Sequence, residues 1–395
     1  MIKKNKNKKK YISFSKIEVL SAIFLLIGGL LLGIFLKDKI AVNFLPGQTV
    51  GEKQENYPEI KQILSLQKVR DQSPYLIKLL DRIGPEKTQE ELLRSGLPFT
   101  GETHLLVHTI GKYIYEKHGA SGLKMCKDYF LSACFHAFII EDLSDNGMRG
   151  LSSTMNSCEK AGINVLSQCS HATGHGFVVW NDYDLVRALK MCDELAQKPD
   201  SNTPAFNCYD GVFMENLFSV HEGELSEKRW IDDTDPYYPC NDTRIPEKYL
   251  GGCWVNQASR MHQMYQGDLK KVAQGCDQVL NPKHQELCYN NFARQIHPMT
   301  EGQSGKAFIL CTNATGEKWQ NYCLNTLVGA AFSVGDKGKM PFEICHKMEN
   351  VSSKNNCYNK LSGIINSYAK NQNEAIVLCK KILDVGYRKN CEEYQ

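Results

Sequence analysis

Five of the eleven histidines in this 395-residue chain fall into two short motifs and one single position: His104-Leu-Leu-Val-His108, His171-Ala-Thr-Gly-His175, and His136. Two imidazoles at i and i+4 lie on one helical face and can chelate one metal ion. Neither motif carries the glutamate that follows the first histidine in the H-E-x-x-H of zinc peptidases. Leu105 and Ala172 stand there instead, so a peptidase of that kind is not supported.

Whether these imidazoles can meet depends on the elements that carry them, and the cysteines define those elements. Sixteen cysteines read as eight successive pairs: Cys126 with Cys134, Cys158 with Cys169, Cys192 with Cys208, Cys240 with Cys253, Cys276 with Cys288, Cys311 with Cys323, Cys345 with Cys357, and Cys379 with Cys391. The last four pairs share the spacing C-x11-C, and their first members recur at intervals of 35, 34 and 34 residues. A period near 34 is what two short helices and two turns occupy, which marks a helical-repeat array. The chain has no C-x-x-C knuckle of the kind zinc sites prefer, and its even, periodic cysteines point to disulfides within hairpins in an oxidising compartment. Helices are expected over 268–280, 285–296, 319–334 and 356–368, with Asn281-Pro282 as a break.

Counting from the second cysteine of each pair, positions +2 and +6 lie about 200° and 240° around the helix, on one face. At +2 the sequence reads His136, His171, Asp210, Val255, Asn290, Asn325 and Asn359; His175 stands at +6. Carried back by one unit from Cys134, the register starts at Glu102 and places His104 and His108 at +2 and +6 of a cysteine-free first unit. The candidate ligands are therefore His136, His171 and His175, with His104, His108 and Asp210 beside them. Neutral imidazoles suit Zn, Fe, Cu or Ni, and the donor set does not choose among them. An ion with an open position could activate water for hydrolysis.

Helices that pack about 8–10 Å apart put the first and third units roughly 20 Å apart. The expectation is accordingly two sites, or one built on His136, His171, His175 and Asp210; a single five-histidine site needs strong inward curvature. Glu141 and Glu215 recur at +7, facing the hairpin interior, where each either orients a histidine through its outer nitrogen or forms a salt bridge. A hydrogen-bonded histidine ladder without metal is the competing reading of the whole face. His118, His221, His284 and His346 fall outside the pattern and are expected on the surface.

The period resembles that of tetratricopeptide-like helical-hairpin solenoid proteins over roughly residues 100–395. The W-x2-L-G-x2-Y signature is absent, so the resemblance implies a fold and no activity. The expected class is all-α: a disulfide-stapled helical-hairpin repeat solenoid behind a single N-terminal transmembrane helix. Residues 1–16 carry seven lysines and no acid, and 18 uncharged, mostly apolar residues run from Val19 to Leu36. That length spans a bilayer, and the basic flank keeps the N-terminus cytoplasmic. The reading is a cytoplasmic tail (1–16), a signal anchor (17–36), a spacer (37–57), a helical cap (58–98) and an extracytoplasmic array (99–395). Of the formal charge of +3 the tail supplies +7, so the body sums to −4 and offers no basic surface for nucleic acid. Partners expected are the membrane, through the N-terminal helix, and a peptide, glycan or envelope protein along the groove. Between Glu215 and Cys240 an insert with Asp232, Asp233 and Asp235 stretches the period; it is expected to leave one rim, where it can serve as a lid, and it lacks the spacing of a calcium loop.

Overall fold

The structure is a computed structural model that describes residues 57–97, 101–197, 204–218, 227–333, 338–369 and 371–393. The basic tail, the apolar segment 17–36, nearly all of the spacer and His221 lie outside the described residues. Among the described residues no helix is long and apolar enough to cross a membrane, and every regular element is helical.

Three helices form the cap: α1 (Pro58–Ser65), α2 (Val69–Ile83) and α3 (Pro85–Arg94). Prolines at the start of α1 and α3 suit a first turn whose N–H groups have no helical partner, and Gly84 takes a positive φ of 80° between α2 and α3. The array follows with α4 (Gly101–His118), α5 (Ala133–Lys160), α6 (Ile163–Trp180), α7 (Leu185–Ala196), α8 (Ala205–Phe218), α9 (Glu247–Met264), α10 (Leu269–Asp277), α11 (Pro282–Ile296), α12 (Ser304–Cys311), α13 (Gly316–Ser333), α14 (Met340–Lys347), α15 (Val351–Tyr368), α16 (Gln372–Cys379) and α17 (Val385–Glu393). Helices α4, α5, α6, α8, α9, α11, α13 and α15 pack each on the next, while the shorter α7, α10, α12, α14 and α16 flank them. Asn281-Pro282 starts α11 instead of merely ending its predecessor: the Asn281 side chain accepts from the Lys283 and His284 amides, and Pro282 fills the first turn.

All eight cysteine pairs are bonded as the spacing predicts, with Cα atoms 5.4 to 6.4 Å apart. Each bridge clamps a helix or loop onto the helix that follows it. That following helix carries the second cysteine of the pair, at Cys134, Cys169, Cys208, Cys253, Cys288, Cys323, Cys357 and Cys391 in turn. Next to the second cysteine sits a repeated core position: Phe135, Tyr209, Trp254, Tyr289 and Tyr358 are all buried there. Tyr289 stacks on Trp319 of the next unit at 4.2 Å, so the aromatic step carries packing from one repeat to another.

Two departures from strict repetition shape the N-terminal half. Helix α5 fuses the second helix of one hairpin to the first of the next, kinked at Gly147 (φ 58°, ψ −154°). Only glycine adopts that conformation cheaply, and Thr154 Oγ1 donates to Asp142 Oδ2 at 2.6 Å across the bend. In the fourth pair, no helix precedes Cys240 among the described residues of the insert. The described part of the insert packs on α8 and α9: Asn216 exchanges two hydrogen bonds with the Trp230 backbone, and Gln257 donates to the Pro236 and Tyr238 carbonyls. Its acids are occupied locally, Asp232 by Thr234, Asp233 by Arg260 and Asp235 by Asn241.

Candidate metal centre

The helices that carry the histidines approach each other at backbone contact, and glycine makes this possible. A Cβ on Gly211 would lie 2.0 Å from the His171 carbonyl oxygen, and one on Gly174 would lie 2.1 Å from the Cys208 carbonyl oxygen. A Cβ on Gly111 would lie 2.2 Å from the Cys134 carbonyl oxygen. These contacts join α4 to α5, beside His104, His108 and His136, and α6 to α8, beside His171 and Asp210.

The five histidines form one contiguous cluster of two groups that share His136, closer together than standard helix packing leads one to expect. His136 is the hub. Its ring centroid lies 4.9 Å from His104, 5.7 Å from His108, 5.1 Å from His171 and 4.6 Å from His175. Two triads result, one of His104, His108 and His136 and one of His136, His171 and His175, and within each the ligand-capable atoms lie within 4.8 Å of one another. His175 is fully buried, His136 is 1 % exposed, and His104 and His108 are 8 % and 7 % exposed. The His171 side chain, at 13 %, is the most open.

The outer nitrogens decide which inner ones carry lone pairs. His171 Nδ1 lies 3.0 Å from Asp210 Oδ2, His175 Nδ1 lies 2.9 Å from Glu215 Oε2, and His104 Nδ1 lies 2.9 Å from the Phe130 carbonyl oxygen. A carbonyl or carboxylate oxygen only accepts, so all three Nδ1 atoms carry hydrogen and donate, and Nε2 is the lone-pair nitrogen of each ring in its neutral form. Burial raises the Asp210 carboxyl, but His171 and the Asn256 amide outweigh it and hold the group ionised. His136 Nδ1 lies 3.0 Å from the bare His104 Nε2 and must donate to it, which leaves His136 Nε2 bare as well. That nitrogen is buried without a hydrogen-bond partner. The Nε2 atoms of His171 and His175 face each other at 3.1 Å, at hydrogen-bond distance.

Two of these rings, His104 and His136, are held neutral. Burial pushes His104 down to about 4, opposed by its bond to Phe130 and helped by His171. Burial, followed by His175, His104, His171 and His108, drives His136 well below the ordinary imidazole range. The arrangement is three imidazoles whose ligand-capable atoms lie within 4.8 Å of one another, with carboxylates behind two of them, a donor set of the kind that can hold a metal ion.

The two glutamates take the two roles the sequence offers for them, Glu215 orienting a histidine and Glu141 forming a salt bridge. Asp210 lies behind His171, outside either triad. Glu215 sits behind His175, fully buried, and also accepts from the Tyr183 hydroxyl at 3.2 Å. Glu141, at the same register position, instead pairs with Lys112 at 3.4 Å. His284 is buried against Trp254, contrary to the surface expectation, while His118 and His346 are exposed. Phe130, whose carbonyl fixes His104, carried no sequence signal: it acts through its backbone. Comparison with protein-family models gives no match, and comparison with curated proteins gives none either.

Proposed function

We propose that this protein is a membrane-tethered, extracytoplasmic helical-repeat protein whose function is to bind a divalent transition metal in the histidine cluster of its first four long helices. The observation that carries the reading is the triad of His136, His171 and His175, whose ligand-capable nitrogens lie within 4.8 Å of one another while Asp210 and Glu215 take the outer nitrogens of two of them. Sixteen bonded cysteines support an oxidising compartment, and the apolar run at 19–36 with its lysine flank supports the tether.

Three imidazoles leave a further coordination position on a tetrahedral ion, and His171 marks the side from which water reaches it. Hydrolysis at that position is the enzymatic version of the proposal. The test is calorimetric titration of the metal-stripped protein with Zn²⁺, Ni²⁺ and Cu²⁺, and with Fe²⁺ under anaerobic conditions. Binding that His171→Ala and His175→Ala abolish, and that His346→Ala leaves intact, supports the reading. Absence of binding by every ion refutes it.

A further inference from the structure

Resting on that metal-binding reading, the geometry points to two metal ions in the cluster, with His136 ligating one through each ring nitrogen. The two triads have one member in common, so five residues provide six nitrogens only if His136 serves on both sides. Its Nδ1 is turned to His104 at 3.0 Å. The two nitrogens of an imidazole ring diverge, so Nε2 points away from His104, and it is buried with no hydrogen-bond partner of its own. The His175 ring lies over the His136 ring at 4.6 Å, and the His171 centroid lies 5.1 Å away. His136 is thus a partition between two half-sites instead of a member of one.

The half-sites differ in charge and in proton content. The side formed by His136, His171 and His175 has carboxylates at Asp210 and Glu215 behind two of its three ligands, and His136 Nε2, which faces it, has no hydrogen-bond partner. A backbone carbonyl stands behind His104 on the other side, and His136 Nδ1 there carries the proton it donates to His104. The first ion therefore enters beside His171 and His175 and displaces no proton from His136. The second enters beside His104 and His108, and the ring's remaining proton leaves to solvent as the second nitrogen–metal bond forms.

The experiment titrates the metal-stripped full chain with Zn²⁺ by calorimetry in buffers of different ionisation enthalpy, and with Co²⁺ by visible absorption. Two equivalents are expected, the second weaker and accompanied by release of one proton. The double variant His104→Gln with His108→Gln should retain one tight equivalent and lose the second together with its proton. Saturation of the unsubstituted protein at one equivalent overturns the shared-ring centre while leaving metal binding in place. Loss of all binding in the double variant, with its helicity unchanged, overturns it too by showing one centre that needs every histidine. No binding at all by the unsubstituted protein removes the metal reading itself.

Discussion

Acidifying the metal-free protein should destabilise its N-terminal half, and His104 gives the share whose size can be worked out. In the unfolded chain an imidazole titrates near 6.5, and in the folded cluster burial brings His104 down to about 4. Between those values the unfolded state binds the proton and the folded state does not, so stability falls as pH is lowered. The loss begins near pH 6.5 and is complete near pH 4. A difference of about 2.5 units at 1.36 kcal/mol each gives about 3 kcal/mol. His136, depressed by burial and by its four neighbours, adds to the loss in the same direction. The assay is urea unfolding followed by far-ultraviolet circular dichroism, disulfides intact, at intervals from pH 7 to 4. His104→Gln should flatten the profile by about 3 kcal/mol across the window, while His346→Gln, at an exposed position, should not change it. A profile that is level between pH 6.5 and 4.5 would refute the reasoning, because buried neutral imidazoles cannot avoid this linkage.

Glu215→Gln keeps the shape behind His175 but removes the charge, and should weaken metal binding roughly 10- to 100-fold with little change in helicity; an unchanged affinity by calorimetry would show that Glu215 does not hold the ligand. Gly211→Ala drives a methyl group against the His171 carbonyl, with no flexible side chain to yield. It should cost at least about 2 kcal/mol in urea unfolding and abolish metal binding by separating α6 from α8. Each disulfide closes a short loop worth about 3 kcal/mol in the chain-entropy model, so graded reduction should unfold the array in stages, read as successive steps in circular dichroism. A single sharp transition would argue for one cooperative core.

The repeat architecture was legible because it is written in one dimension. A disulfide fixes two points of every hairpin, and C-x11-C recurring near every 34 residues gives both the pairing and the helix register. From that register alone His104, His108, His136, His171 and His175 fall on one face. Their distance from one another was not legible, because it depends on how closely helices approach. A standard packing distance separates the outer units by roughly 20 Å. Gly111 lets α4 approach α5 at backbone contact, and Gly174 and Gly211 do the same for α6 and α8, which brings Asp210 to His171. Glu141 and Glu215 share a register position yet diverge, because Lys112 on the preceding helix captures one while Tyr183 and His175 surround the other. His284 was assigned to the surface from its place outside the histidine pattern, and its burial follows from the Trp254 ring beside it. Neighbours of this kind belong to the packed structure and leave no periodic trace in the chain.

The most direct measurement is elemental analysis of the protein purified as its own cell makes it, with no metal added and no histidine tag. A metal-binding function predicts at least one molar equivalent of zinc, iron, copper or nickel that His171→Ala eliminates. Metal-free protein whose melting temperature does not move when those ions are added would contradict it, and would leave the five histidines as a structural ladder.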